Sequence, residues 1–443
     1  MTSGGPEALR PRFEGMWAEL GRIGPDPGGG YSRLAWSAAD ARLREWFRAQ
    51  AAAREMAVEQ DGNGNLWAWW PAPAGGEQAG GEQAGRERAG GGPSGGAVAV
   101  GSHLDSVPNG GAFDGPLGVV SAFLAVDEVR AKEGWRAGTR WPRRPVAVVS
   151  FSDEEGARFG VACVGSRLAC GALAPDAARA LVDAGGTTLA EAMRQAGADP
   201  GRLGPSPERL ASLCAFVELH IEQGRALVDL GAPVGLATAI WPHGRWRCSF
   251  QGEPDHAGTT RLVDRKDPML ALAAAVIEAR RAAEQHEARA TFARVSVQPN
   301  ATNAIAARVD AWLDARAADE EALQSVVAAV SDVAVRAAAA QGVAFQLTCE
   351  SFTSTVAFDG ALRARVAEAL GGAPELPTGA GHDAGILSAH LPTAMIFVRN
   401  RTGVSHSPAE SATVDDCLAG VGALARVLDA LTAPDGPVST TAP

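Results

Sequence analysis

The sequence predicts an α/β domain interrupted by a smaller α+β unit, and three observations carry that expectation. At 443 residues the chain is longer than one hydrophobic core usually serves, so two folding units are expected. Short apolar runs of β type alternate with amphipathic stretches over most of the length, the pattern of a sheet covered by helices. From about Leu236 to Thr353 the pattern changes to strand, long helix, two strands and a helix. The chain therefore reads as an α/β domain of residues 1–235 and 354–443 with an α+β insertion over 236–353.

The elements follow from local chemistry. Leu66–Trp70, Ala97–Val100, Val146–Ser152, Ala215–Leu219 and Thr393–Val398 are short and apolar enough for buried strands, while Leu117–Lys132 has helical spacing. In the insertion, Trp246–Phe250, Phe292–Gln298 and Ala307–Leu313 read as strands. Its long helix has a clear start: Asp267 can cap, Pro268 suits the first helical position, and the apolar run Met269–Ile277 follows. The stretch Ala72–Gly96 is almost entirely Gly, Ala, Gln, Glu, Arg and Pro, with GEQAG twice in tandem at Gly76–Gly80 and Gly81–Gly85. Such a composition cannot bury a core and reads as a long loop joining two strands. Ala433–Pro443 reads as a frayed tail.

Composition narrows the function. Hydrophobic residues make up 46% and charged residues 21%, ordinary values for a folded chain. A net charge of −11 and a pI near 5.3 leave no broad basic footprint, which argues against nucleic acid and anionic membranes as partners and favours small-molecule chemistry. No apolar run approaches the roughly 20 residues of a bilayer span, and the N-terminal MTSGGPEALRPRFEG has no signal-peptide core, so a cytoplasmic protein is expected. The six cysteines form no CxxC pair and are read as reduced and structural.

The residues that carry chemistry sit at predicted strand ends. GSHLDSVPNGGAFDG, Gly101–Gly115, follows the strand Ala97–Val100 and brings His103, Asp105 and Asp114 to the carboxyl end of a strand, where open α/β sheets form their sites. His103 offers a neutral nitrogen suited to zinc, manganese or cobalt. Asp105 can orient that imidazole through its other ring nitrogen, and Asp114 can bridge two ions. In FSDEEGARFG, Phe151–Gly160, Glu154 and Glu155 stand side by side where a strand becomes a loop. There one carboxylate can bind metal while its neighbour takes a proton from metal-activated water. His220 ends the strand in FVELHIEQG, with Gln223 and Gly224 behind it, and His406 follows Thr393–Val398 in TGVSHSPAE. His256 in GEPDHAGTT and His382 in GAGHDAG lie in glycine-rich contexts that let backbone or substrate approach closely. His243, His286 and His390 lack such company and are read as structural or exposed.

In order along the chain, GSHLDSVPNGGAFDG, DEEG, ELHIEQG, DHAGTT, PNATNAI, GAGHDA and GVSHSPAE are similar to the hydantoinase/carbamoylase branch of the dimetal aminoacylase-type amidohydrolases. The branch holds allantoate amidohydrolases and N-carbamoyl-L-amino acid hydrolases, and the resemblance spans nearly the whole chain. It implies two divalent ions, zinc, manganese or cobalt, bridged by Asp114, with His103 and His220 on one and Glu155 and His406 on the other. Glu154 is then the general base and Asp105 its companion in the catalytic set. Substrate contacts carry over to Gln223, His256, Asn303, Arg316 and the backbone at Gly381, with His256 also stabilising the oxyanion. The resemblance further implies that the insertion is a dimerisation or lid domain and that the chain is a homodimer.

The substrate class implied is a small ureido-carboxylate. Allantoate, hydrolysed to release ammonia and carbon dioxide, is the leading expectation, and an N-carbamoyl-L-amino acid is the alternative. A generic aminoacylase or dipeptidase is disfavoured by histidine at 220 and by the Asn303/Arg316 pair. A catalytically dead binding module is disfavoured because Glu154 and all five ligand positions are intact. The chain departs from the family pattern at Asn303–Ala307, at Arg399–Arg401 and in the GEQAG repeat, and none of these removes a ligand.

Overall fold

The computed structural model describes residues 6–70, 96–132 and 144–432. The GEQAG repeat, with all of the low-complexity stretch up to residue 95, and the 433–443 tail lie outside them. The chain is a mixed α/β protein and divides into two compact units. One comprises Met1–Thr238, Phe358–Leu376 and His382–Pro443, the other Ala239–Ala357 and Pro377–Gly381.

The first unit is built on β1 (Ala57–Gln60), β2 (Leu66–Trp70), β3 (Ala97–His103), β4 (Val146–Phe151), β5 (Leu213–Ile221) and β6 (Val234–Ile240), joined late in the chain by a strand at Thr393–Val398. Four neighbours, β4, β3, β5 and Thr393–Val398, run parallel; β2 and β6 are antiparallel to them on either side. Parallel strands need cover on both faces, and these four are buried almost throughout. On one face lies the helix Pro116–Ala131, whose Leu117, Val120, Phe123 and Leu124 are wholly buried, together with Val414–Thr432. A separate cluster around Trp36, Phe159, Leu168 and Met193 packs the short helices.

Two strands run further than the sequence suggests. β3 does not stop at Val100 but continues through Gly101 and Ser102 to His103, pairing with Val149, Ser150 and Phe151. β5 extends beyond Leu219 to Ile221, so His220 lies inside a strand instead of ending it. Polar residues in these segments mimic a loop, but their side chains are partnered inside: the Ser102 hydroxyl donates to Glu218 at 2.7 Å.

The second unit has four antiparallel strands in the order β10–β7–β9–β8, where β7 is His243–Gln251, β8 Arg289–Gln298, β9 Arg308–Arg316 and β10 Ala344–Thr353. Along β9 the alternation is strict, with Val309, Ala311, Leu313 and Ala315 buried and Asp310, Trp312, Asp314 and Arg316 on the other face. The helix Pro268–Gln285 starts as expected, its Asp267 side chain accepting from the Met269 amide at 2.9 Å. The helix Glu320–Ala340 has the length and hydropathy of a membrane span, contrary to the reading that no such run exists, and no other helix among the described residues does. Its Leu323, Val326, Val330, Ala334 and Ala338 form one buried stripe in this unit's core, while Asp332 and Arg336 occupy other faces. That is the pattern of a core helix.

Glycine sets how closely the buried helix approaches the sheet. A Cβ on Gly118, in the first turn of Pro116–Ala131, would stand 2.2 Å from the Leu219 carbonyl oxygen and 2.6 Å from the Ser102 Cβ. Both neighbours directly precede a candidate ligand, His220 and His103. Gly118→Ala is expected to force helix and sheet apart, lowering stability by about 1–3 kcal/mol and weakening metal retention. Denaturant titration and metal analysis of the purified variant check this; wild-type values in both would contradict the close-approach account.

Candidate metal centre

The carboxyl ends of the parallel strands bring five side chains together. His103 is the last residue of β3 and His220 the penultimate residue of β5. Asp114 follows β3 across the glycine loop, Glu155 lies just past β4, and His406 is in the loop after Thr393–Val398. The two Asp114 oxygens face different neighbours. Oδ1 is 3.6 Å from His103 Nε2 and 3.1 Å from His220 Nε2, while Oδ2 is 3.6 Å from His406 Nε2, which is itself 3.2 Å from Glu155 Oε2. Two three-ligand groups therefore share Asp114.

The donor chemistry of these groups fits divalent cations. His103 Nδ1 bonds the Asp105 carbonyl at 3.1 Å and His220 Nδ1 the Ile221 carbonyl at 2.8 Å. A carbonyl only accepts, so each Nδ1 carries a proton, and in the neutral ring each Nε2 turns a bare lone pair towards Asp114. Buried His103 Nε2, His220 Nε2 and Glu155 Oε1 make no hydrogen bond. Lone pairs from nitrogen and carboxylate converging in a dry site are stable only around a cation or a proton. Among the described residues, no lysine or arginine bonds Asp114, Glu154 or Glu155 to supply that charge. The cradle is tight as well, since a Cβ on Gly115, at φ +85, would stand 2.3 Å from the His103 ring.

A surrounding layer of polar side chains holds the ligands. The Asp105 carboxylate accepts the Glu154 and Glu155 amides at 3.2 and 3.1 Å, fixing the turn that presents both acids. Asp105 also meets the second ring nitrogen of His103: its carbonyl oxygen accepts from Nδ1 at 3.1 Å, and its carboxylate lies 3.6 Å from the same atom. Glu410 accepts the Phe113 and Asp114 amides at 2.8 and 3.1 Å. Ser405 and Gln223 each donate to Asp114 Oδ2 at 2.8 Å, so Gln223, expected as a substrate contact, here braces a ligand. Glu218 accepts from Ser102 and from the Ala384 amide, and buried Asp383 accepts from Ser166. The His382 ring lies 4.5 Å from that of His220. Sequence reasoning missed Glu218, Asp383, Ser405 and Glu410. Two of them had a signal: Glu218 shares a strand face with His220, and Glu410 closes the SHSPAE motif.

Glu154 is buried, with Oε2 3.6 Å from His103 Nε2 and Oε1 3.4 Å from Cys163 Sγ. Burial pushes its carboxyl well above the usual range, and Asp383, Glu155 and Asp105 add to this against the opposing pull of His103. Burial disfavours charge on His103 and His220, but the surrounding acids, Glu154 and Asp114 foremost, raise both imidazoles. His406 is raised to about 8, chiefly by its hydrogen bond to Glu155. Buried His382, beside His220, is held well below the ordinary value.

The other expected substrate residues belong to the second unit. An antiparallel bridge joins His256 to Ala304, and the Ala257 amide donates to the Asn303 carbonyl at 2.9 Å, so the His256 and Asn303 loops are laced together. His256 Nδ1 accepts the Gly258 amide at 3.0 Å, leaving Nε2–H as a free donor in the neutral ring. Arg316 binds Asp314 through Nε and Nη2, at 2.9 and 3.3 Å, and the Gly379 carbonyl through Nη1 at 2.8 Å, two residues before Gly381. One hydrogen on each terminal nitrogen remains for a ligand. Of the other histidines, His286 and His390 are exposed, and His243 bonds the Trp241 carbonyl at 3.0 Å.

Residues 99–430 match the family described as Peptidase family M20/M25/M40. Over 426 residues the chain is 38% identical to the N-carbamoyl-L-amino acid amidohydrolase of Geobacillus stearothermophilus, covering 93% of this chain and 96% of the relative. It is 30% identical to the allantoate amidohydrolase of Escherichia coli over 92% of this chain and 95% of that one. A crystal structure of a hydantoinase/carbamoylase family amidase from Burkholderia vietnamiensis superposes with a TM-score of 0.79 at 30% identity, covering 96% and 98% of the two chains.

Metal affinity should follow the histidine protons. Each imidazole must be neutral to bind, so affinity holds above its pKa and falls below it. Below about 8, where His406 takes its proton, acidification should weaken binding by about tenfold per pH unit, and more steeply as His103 and His220 protonate. Calorimetric titration of metal into chelator-stripped protein from pH 6 to 9 measures this slope, and pH-independent affinity would exclude histidine ligation. With the paired ligand groups, the match over 99–430 and relatives at 38% and 30% identity, the chain belongs to the M20/M25/M40 peptidase family and, within it, to the hydantoinase/carbamoylase amidohydrolases, which hydrolyse carbon–nitrogen bonds.

Proposed function

We propose that this chain hydrolyses the ureido group of an N-carbamoyl-L-amino acid, giving the amino acid, ammonia and carbon dioxide. The observation that carries the hydrolytic reading is the pair of ligand groups sharing Asp114, with buried Glu154 beside His103. The 38% identity to an N-carbamoyl-L-amino acid amidohydrolase favours that substrate. The relative at 30% identity keeps allantoate, the leading expectation from the sequence, as the second reading. Both substrates place a ureido group next to a carboxylate.

His103 and His220 would hold one divalent ion and Glu155 and His406 the other, with Asp114 between them; the donor set suits zinc, manganese or cobalt. When bound, such ions supply Lewis acidity and an acidified water. Glu154 takes the proton from the attacking water and later delivers it to the departing nitrogen. The carbon–nitrogen bond breaks, and the carbamate formed goes on to ammonia and carbon dioxide. Asp105 keeps the Glu154–Glu155 turn in place through its two amide bonds. His256, with its free Nε2–H, is suited to the developing oxyanion, and Asn303 and the Gly381 backbone to the substrate's polar edge. Arg316 reads the carboxylate with its remaining donors, pre-oriented by Asp314 and Gly379. Gln223 acts through Asp114 and is the least direct of the substrate residues. The second unit is also the proposed dimerisation unit: Leu270 and Ile277, a heptad apart on the helix Pro268–Gln285, are 55% and 71% exposed.

Ammonia release by metal-reconstituted enzyme, measured on allantoate beside a panel of N-carbamoyl-L-amino acids, tests the substrate. Turnover of the panel at an efficiency above that for allantoate is expected, the reverse order establishes the second reading, and turnover of neither overturns both. Glu154→Gln should keep both metals and lose about 10²–10⁴-fold in turnover, because the amide cannot accept the proton. A variant retaining more than about a tenth of wild-type turnover would remove Glu154 from the base role. Arg316→Ala should lose about 2–5 kcal/mol in kcat/KM, with only partial recovery in Arg316→Lys, since an ammonium does not reproduce the planar fork. Near-wild-type efficiency in both would reassign Arg316 to the Asp314 pair alone.

A further inference from the structure

Cys163 is buried with 3% exposure, and the hydrogen-bond partner of its thiol is the Glu154 carboxylate, Sγ to Oε1 at 3.4 Å. The contact is built by the backbone. The Cys163 amide donates to the Glu154 carbonyl at 2.6 Å, Val164 to Asp153 at 3.0 Å, and Gly165 to Ser152 at 2.9 Å. Residues 163–165 thus run back along 152–154, one amide to each carbonyl. Cys163 also adopts the left-handed conformation, φ 57 and ψ 39, at the start of the helix Val164–Ala169, which turns its side chain onto the acid nine residues earlier. A non-glycine residue is disfavoured in that region, and surrounding contacts must hold it there.

The thiol takes one oxygen only. Oε2 remains 3.6 Å from His103 Nε2, on the side where the ligand lone pairs converge. A carboxylate with neither oxygen tied can rotate about its last bond and present either oxygen or a skewed plane. A free thiol is protonated at neutral pH and donates weakly, and a weak donor fixes orientation without taking up the charge. We propose that Cys163 is a positioning residue for the hydrolytic reaction, holding Oε1 of Glu154 through its S–H so that Oε2 meets the proton of the attacking water. The inference rests on Glu154 being the general base.

The test is a set of four variants assayed as metal-loaded enzyme on its best ureido substrate, with metal content and melting temperature measured on each. Cys163→Gly removes the thiol and suits the positive φ, so it folds even where a side chain there is strained. Cys163→Ala removes the thiol and keeps the Cβ. Cys163→Ser retains a donor, and Glu154→Gln reports on the base itself. Gly and Ala should each lower kcat by about tenfold with KM and two metals per subunit unchanged, while Ser stays within about threefold of wild type. Gly and Ala variants within about twofold of wild type, beside an inactive Glu154→Gln, would overturn the role of Cys163 and leave the base in place. A raised KM, lost metal, or Ser as poor as Ala would likewise overturn it, reducing the thiol to packing. An active Glu154→Gln would take the base assignment down, and this inference with it.

Discussion

The carboxylate of Asp114 turns its two oxygens towards different imidazoles, and most of the buried polar structure around it serves to keep it so. Glu410 fixes the backbone at Phe113 and Asp114, Ser405 and Gln223 fix Oδ2, and the glycine at 115 lets the loop lie against the His103 ring. Four segments far apart in sequence must therefore meet within a few ångströms. A parallel sheet supplies that arrangement, because its strands all finish on one edge and can each contribute a side chain there without long loops. The cost is a buried pocket rich in acids: burial, reinforced by neighbouring carboxylates, raises Glu154 and Asp383, while the His220 and His103 imidazoles overcome burial to lower Asp114. Such a site trades stability of the metal-free fold for affinity towards cations.

Much of this was legible in the residues. The apolar runs Leu66–Trp70 and Thr393–Val398 coincide with strands end to end, because nothing in them competes with the pleat. The metal-type residues were recognisable because histidines and acids next to glycine loops at strand ends have few other uses. What escaped were polar residues whose partners lie far along the chain. Ser102 and Glu218 satisfy each other over 116 positions, and Glu410 reaches the amide of Asp114 over 296. Period and propensity are local quantities, so such pairs look like loop or surface residues until the fold joins them. The same blindness cut β3 and β5 short and left out the Glu154 and Glu155 amides that the Asp105 carboxylate accepts.

In the second unit, local rules did better on elements than on side-chain use. The Asp267 cap and Pro268 begin the helix as read, since capping depends only on neighbouring residues. Arg316 shows the opposite. Its neighbour Asp314 lies on the same face of β9 and takes the edge of the guanidinium that a sequence reading leaves free. The recognition proposed for this arginine would use a donor pattern already narrowed by Asp314 and Gly379, so a bound anion would meet a fixed orientation instead of a mobile side chain.

The two ligand groups differ in their access to water. His103 and His220 are 0% and 1% exposed, whereas the His406 side chain is 51% exposed. Ions held in the two places would then exchange at different rates, with the His406 position opening first to chelators and to competing metals in the medium. Occupancy of that outer position would follow the surrounding metal supply, while the inner one would keep whichever ion it received at folding. An enzyme purified from different growth media could then carry a constant inner ion and a variable outer one.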